Sequence, residues 1–516
     1  MKTKKQYNTA QKATLNMTLT GIMRVVSMMS LFLMKTILIN TLGVQYVGVS
    51  SVFADLVMLF SFAELGIGSA IVFALYKPIE ERDFRKIAQL MNFYKVAYRW
   101  VAIAIFLIGI SLIPFLDTII TDIPDVKENI IVIYMLYLMS AVVTYFMVYR
   151  SSLLTANQEN YKISLIQGTV VIIRLIFSAV ILMIWKNFIL YLTIDILWAL
   201  LQNFTIYLLS KQEFKEIDQY KHEKLPIDER NHLFKNVGAL AIYQVANMVM
   251  SSSSSVVIST IFGTTVVAFY ANYRLIIRSV DSLAAQITIA ITPTFGNIAV
   301  RDKDNQKPFF SILNLFVYWM TLMSSLLIYF LTEPFITLWI GEDFIISRAV
   351  LMVMVLDYIV VNLQRPANTL RNANGLFTQG KFLPLVMALL NVIFSAILAY
   401  PFGLLGVMLG TVLARVLTLV WFDPVVVYKY IFKESAAEYF IQYFFRFAIL
   451  VVTGLITNYA NIVVLNALSV NNIFLKMLLI AVITLVISNL VFVLVFHRNT
   501  EFKPIVYKVK QIVLRK

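Results

Sequence analysis

Long apolar stretches alternate with short polar connections along most of this chain. Fourteen stretches are long enough to cross a bilayer as helices, which takes about 20 residues each. They run roughly over 15–42, 47–76, 92–115, 129–150, 163–185, 188–210, 236–260, 264–298, 309–332, 347–370, 383–401, 403–428, 442–462 and 473–497. The runs are unbroken, unlike the short alternating strands of a membrane β-barrel. The pattern predicts an all-α polytopic membrane protein. The second and eighth stretches exceed one crossing and are expected to tilt or to extend beyond the bilayer. Twelve passes plus an accessory pair is the other way to describe the same layout.

The charges give these spans a direction. Lys and Arg number 43 against 28 Asp and Glu, for a net charge of +15. Placed on the ladder of spans, 31 basic residues fall on the side of the N-terminus and only Lys127, Lys186, Arg348 and Lys476 on the other. Cytoplasmic loops collect Lys and Arg, so both termini are expected in the cytoplasm. The basic excess is thus topological and does not imply nucleic acid. Trp185 and Trp339 fall at outer span ends, where interfacial anchors belong. The run 15–42 is too long for a signal-peptide core and is expected to stay as the first helix. The tail from Phe502 to Lys516 alternates basic and apolar residues, as would a helix on the inner leaflet or a solvated end.

Composition narrows the chemistry. Hydrophobic residues make up 60% and charged residues 14%, with a mean hydropathy of +0.81. There is no cysteine, and the three histidines, His222, His232 and His497, lack partners at ligand spacing. No metal or cofactor is expected. The longest non-membrane segment, 211–235, leaves no room for a catalytic domain, and no P-loop occurs. Asp117, Asp122 and Asp125, near the outer surface, show no paired spacing. A membrane polymerase or ligase is therefore disfavoured, and transport without enzymatic activity is the better class. Gly403, Gly406 and Gly410 have the small-residue spacing of close helix packing.

A weak internal repeat organises the spans. Ala156-Asn157 follows the fourth span and Ala373-Asn374 the tenth, 217 residues apart; the same offset carries Glu64 to Asp281. An offset of six helices keeps both halves in one orientation, a parallel pseudo-two-fold repeat with the site expected between halves. The expected organisation is a six-helix lobe over 1–210, a cytoplasmic linker over 211–235, a second six-helix lobe over 236–430, and helices 13 and 14 with the basic tail over 431–516.

Ionisable residues inside spans carry an insertion penalty of about 2.5–3.5 kcal/mol each and point to function. Arg24, Asp55, Arg174, Arg274, Asp357 and Arg415 lie near mid-bilayer, with Arg278 and Asp281 following Arg274 on one helix face; Glu64 and Arg365 lie nearer the cytoplasm. The functional reading is a hydrated cavity in which Arg24, Arg274 and Arg278, joined by Arg174 and Arg415, bind an anionic substrate, since guanidinium forks suit phosphate. Asp55, Glu64, Asp281 and Asp357 are then candidate coupling-ion carboxylates. The structural alternative is mutual neutralisation, as in Arg24–Asp55 and Arg278–Asp281 pairs. Gln244, Asn247 and the run Ser251 to Ser255 in the seventh span either line a path for sugars or bond back to their own helix.

The segment Ala63-Glu64-Leu65-Gly66-Ile67-Gly68-Ser69-Ala70-Ile71, then Leu75-Tyr76-Lys77-Pro78, resembles a stretch of bacterial polysaccharide repeat-unit transporters. Leu42-Gly43, Tyr46-Val47-Gly48 and Arg371-Asn372-Ala373-Asn374-Gly375 are similar to that family too. It comprises the Wzx-type lipid-linked oligosaccharide flippases of the multidrug/oligosaccharidyl-lipid/polysaccharide exporter superfamily. The resemblance implies a MATE-like pair of six-helix lobes around a cavity that opens alternately to each side. It implies an undecaprenyl-pyrophosphate-linked oligosaccharide as substrate, driven by an ion gradient or membrane potential. Membrane lipids, a polysaccharide polymerase and other assembly proteins are the implied partners of an expected monomer. Many members of this branch have twelve spans, against fourteen here. The other readings are a lipid II (peptidoglycan precursor) flippase and an ion-coupled multidrug exporter of the same superfamily.

Overall fold

A computed structural model describes residues 9–60, 67–120, 126–220, 222–301, 306–374, 376, 379–468 and 472–513; the side chains of 9–14, 17, 67, 69–70, 231–244, 247, 287–301 and 508–513 are outside the description. The described chain is helical throughout: α1 Thr9–Leu42, α2 Val44–Phe60, α3 Ile67–Glu81, α4 Phe84–Ser111, α5 Leu116–Ile119, α6 Ile130–Val148, α7 Ser151–Ala156, α8 Asn160–Trp185 and α9 Phe188–Glu213. There follow α10 Ile227–Arg301, α11 Gln306–Ile340, α12 Arg348–Ala373, α13 Leu383–Phe402, α14 Leu404–Val416, α15 Leu419–Val427, α16 Ala437–Ala467, α17 Ile473–Phe496 and α18 Phe502–Val513.

Among the described residues, 12 helical stretches are long and apolar enough to cross a membrane. The expected fourteen spans map onto them once two features are allowed for. The seventh and eighth spans are two helices that meet within α10 at a sharp kink at Gly263, where φ is 81° and ψ 171°. The second span takes in α2 and α3, which lie on either side of residues 61–66, outside the description. Helix ends also differ from the hydropathy pattern. The third span starts at Phe84, well before its apolar run, because Asp83 caps it by accepting from the Lys86 N–H at 2.9 Å. Such a cap satisfies an N–H that helix geometry leaves without a partner, and hydropathy does not register it.

The repeat is visible in the caps. Asn157 caps the C-terminus of α7 and Asn374 that of α12. The same offset of 217 relates Lys186 (φ 47°), between α8 and α9, to Gly403 (φ 61°), between α13 and α14. The first and second spans join at Gly43 (φ 105°) and the seventh and eighth at Gly263, so both halves enter their second helix through a backbone conformation that glycine adopts without strain.

The chain packs as two compact units, Met1–Ala268 and Phe269–Lys516; the division falls within α10, downstream of the 211–235 segment. In the first unit, α1 lies along α8. Thr20 and Ser164 share a 2.9 Å hydrogen bond, and Met23 fills the space that a side chain at Gly168 would need. Asn16 donates to the Gln158 carbonyl (2.8 Å) and accepts from the Tyr161 N–H (2.7 Å). Lys162 bridges Glu159 (2.7 Å) and Glu213 (2.5 Å), tying α8 to the end of α9. The upstream part of α10 also packs here: the Ser259 hydroxyl donates to the Ile119 carbonyl (2.7 Å), and the Thr264 backbone abuts Gly48.

In the second unit, α13 and α14 pack backbone to backbone. A Cβ at Gly406 would strike the Leu398 carbonyl, and one at Gly410 the backbone of Phe394 and Ser395. Gly406 and Gly410 thus bring the helices together as expected, whereas Gly403 has open space beside it. Gly410→Val is expected to force the pair apart and destabilise the unit by about 1–3 kcal/mol, read as a lower melting temperature in detergent. An unchanged melt would mean that the contact is slack.

Candidate functional site

Each unit carries part of the expected charge set. In the first, Arg24 is exposed on α1, beside the face that Met23 commits to α8. Asp55 is buried in α2 at 4% exposure. Arg174 on α8 forms an ion pair with Asp195 on α9, 2.5 Å from Nε to Oδ1. Tyr137 and Tyr191 stand close enough to this pair to feel both charges. Glu64 lies outside the described residues, as do the side chains of Gln244 and Asn247. Of the serine run, Ser252 to Ser255 are buried and Ser251 is half-buried; the Ser251 hydroxyl donates to its own helix at Met248 (2.9 Å).

In the second unit, the Arg274 guanidinium lies over the Tyr270 ring, 5.4 Å from its centroid, and Arg278 is exposed. Asp281 engages α12: Arg365 binds its Oδ1 at 2.8 Å and Asn362 Nδ2 donates to the same oxygen at 3.0 Å. Asp357 on α12 pairs with Arg415 on α14 at 2.6 Å. Asp281 and Asp357 are thus held by guanidiniums on neighbouring helices. In an apolar layer such pairing offsets the desolvation of both ions, and truncating one partner exposes the other to it.

One cluster escapes sequence reasoning. Asp423 on α15 is 0% exposed and Arg371 at the end of α12 is 1% exposed. Arg371 Nη1 donates to Asp423 Oδ1 at 2.5 Å, while Gln364 (2.7 Å) and Asn368 (3.0 Å) donate to Oδ2. The remaining Arg371 donors reach the carbonyls of Leu376 (3.0 Å) and Gln379 (2.7 Å). Arg371 is one of the residues that carry the family resemblance, and here it fastens the connection after α12 onto α15. Asp195 and Asp423 are acids inside apolar runs, and that signal alone could have drawn attention to them.

Arg174, Arg365, Arg371 and Arg415 are therefore engaged by acids within their own units. Arg24 and Arg278 are exposed, and the Arg274 guanidinium lies against the Tyr270 ring. Among the described residues no group of three His, Asp or Glu side chains could hold a metal ion.

No protein-family model and no curated protein sequence matches the chain. Solved structures do. The chain is similar to the lipid II flippase MurJ in an inward closed conformation, at 15% identity and a TM-score of 0.68, covering 94% of this chain and 99% of that one. It is similar to a multidrug resistance MATE family transporter of the MOP superfamily in an inward-facing conformation (14% identity, TM-score 0.59, 78% of this chain and 96% of that one). A third is a MOP superfamily transporter from Pyrococcus furiosus whose binding pocket has reverse polarity (15% identity, TM-score 0.53, 79% and 94%). At these identities the likeness is one of fold: a polytopic all-α membrane architecture shared with these transporters.

Proposed function

We propose that this chain is a flippase that moves an undecaprenyl-pyrophosphate-linked oligosaccharide repeat unit across the bacterial cytoplasmic membrane for surface polysaccharide synthesis. Both termini face the cytoplasm, and the two lobes alternate access. The observation that carries the reading is that Arg24, Arg274 and Arg278 lie within membrane spans, where a guanidinium is costly unless it has a use. These three bind the pyrophosphate. Arg174 and Arg415, expected to bind substrate, are held by Asp195 and Asp357. They add positive field and reach a phosphate only when their acids release them. Asp55, Asp281 and Asp357, with Glu64, remain the coupling candidates: neutralising Asp357 or Asp281 with a proton would free Arg415 or Arg365.

Lipid II as substrate is the second reading, supported by the likeness to MurJ, which extends over 94% of this chain and so takes in helices beyond the twelve of the two lobes. A multidrug exporter fits less well, because cationic drugs would meet arginines. Deletion of the gene separates these readings. The proposal predicts growing cells that lack surface polysaccharide and regain it on complementation. Arrest of wall synthesis would transfer the assignment to lipid II, and drug sensitivity with normal polysaccharide would transfer it to an exporter.

A further inference from the structure

Arg446 belongs to none of the groups described so far. It lies ten positions into α16, within an apolar span. Among the described residues no carboxylate lies within ion-pair distance of it. Glu501 supplies only a longer-range attraction. The side chain turns back along its helix, as helical side chains do, and Nη2 donates to Gln442 Oε1 at 3.2 Å. Its guanidinium lies 6.0 Å from the centre of the Tyr318 ring.

Arg446 opens onto a small pocket that it lines with Asn314, Leu363, Tyr439 and Tyr443. The walls are fixed. Tyr439 is 6% exposed, stacks on Phe310 at 6.4 Å and packs beside Tyr443 at 6.3 Å. Asn314 is 7% exposed and brings an amide to the same pocket. Tyr318 is fully buried, and among the described residues its hydroxyl has no hydrogen-bond partner. A buried polar group without a partner is uncommon and asks for an explanation.

The pocket lies near the end of α17. Tyr318 touches Phe496, the last residue of α17, at 5.5 Å, and Phe445, next to Arg446, approaches the same ring at 6.4 Å. The polar turn after α17 presents exposed Arg498, and exposed Lys503 follows at the start of α18. A guanidinium near one end of its apolar helix, with no carboxylate within ion-pair distance among the described residues, matches the headgroup of an anionic lipid.

We propose that Arg446, Tyr443 and Asn314 form a binding site for the phosphate of an anionic glycerophospholipid, distinct from the Arg24, Arg274 and Arg278 set and independent of the transported substrate. The guanidinium and the amide of Asn314 donate to the phosphate oxygens, and the acyl chains lie along the exposed apolar face of α16.

Native mass spectrometry of the full chain in detergent tests this. Phosphatidylglycerol is offered beside diacylglycerol with the same acyl chains, with and without excess inorganic phosphate. Wild type is expected to retain phosphatidylglycerol and not diacylglycerol, with no competition from inorganic phosphate. Arg446→Gln should weaken retention about tenfold, the effect of losing one charge-assisted hydrogen bond, and Arg446→Lys should weaken it less. Tyr443→Phe, which keeps the charge and the ring, should weaken it severalfold even if Arg446→Gln does not fold. Equal retention by wild type and Tyr443→Phe or Arg446→Gln, equal retention of diacylglycerol, or full displacement by inorganic phosphate would each overturn the proposal.

Discussion

Arg371→Ala is expected to remove most of the folded protein from the membrane. Arg371 and Asp423 are both essentially inaccessible, and every hydrogen-bonding nitrogen of the guanidinium has a partner. Truncation leaves the Asp423 carboxylate buried, with only the amides of Gln364 and Asn368 as donors. Breaking a buried pair in this way costs about 3–5 kcal/mol, a large share of the roughly 5–15 kcal/mol that holds a folded protein together. It also frees the carbonyls of Leu376 and Gln379, so the connection between α12 and α13 loses its anchor. Fluorescence-detected size exclusion of solubilised membranes would show a strongly diminished main peak. Replacing both ions, as Arg371→Met with Asp423→Leu, should restore much of the peak, because no charge is then stranded. A normal peak for Arg371→Ala alone would show that the cluster contributes little to folding.

Arg24→Ala and Arg274→Ala are expected to do the opposite: leave the protein in the membrane and stop transport. Arg24 is exposed on α1, and Arg274 is half-buried with its guanidinium over the Tyr270 ring. Removing either should leave the stability within about 1 kcal/mol of wild type, as for most substitutions outside a packed core. Each guanidinium that binds the pyrophosphate contributes about 1.5–3 kcal/mol through charge-assisted hydrogen bonds. Its loss weakens headgroup binding roughly 10- to 100-fold, so surface polysaccharide should fall to near the level of the deletion strain. Lysine at either position keeps the charge and loses the fork, and should give partial activity. Normal polysaccharide in both alanine variants would remove the phosphate clamp from the account.

The contrast between these two predictions shows what sequence can reveal here. The spans and their repeat were legible because the bilayer imposes length and hydrophobicity on each helix, and Asn157 and Asn374 proved to be matching helix caps. The junction at Gly263 was legible as a boundary, and two helices do meet there. Individual charge roles were less legible. Spacing along one helix offered Arg278 as a partner for Asp281, but could not show that Arg365 and Asn362 of α12 also bind that acid. A one-dimensional pattern ranks neighbours by separation in sequence, whereas ion pairs in a helical bundle form across helices. Arg371 illustrates the same limit. It counted as one more cytoplasmic cation, and only the packing of α15 against α12 brings Asp423 to it. Arg446 stood among the basic residues inside spans, undistinguished until the tyrosines around it were in place.

The central claim is that the chain recognises a pyrophosphate-linked sugar headgroup and carries it across the bilayer. Purified protein in vesicles loaded with a fluorescent undecaprenyl-pyrophosphate oligosaccharide, with headgroup accessibility followed by an impermeant quencher or lectin, measures this directly. The account predicts protein-dependent movement of that lipid, strongly reduced movement of an analogue bearing the same sugars without the pyrophosphate, and loss of movement in Arg274→Ala. Equal movement of the two lipids, or movement unaffected by Arg274→Ala, would contradict it.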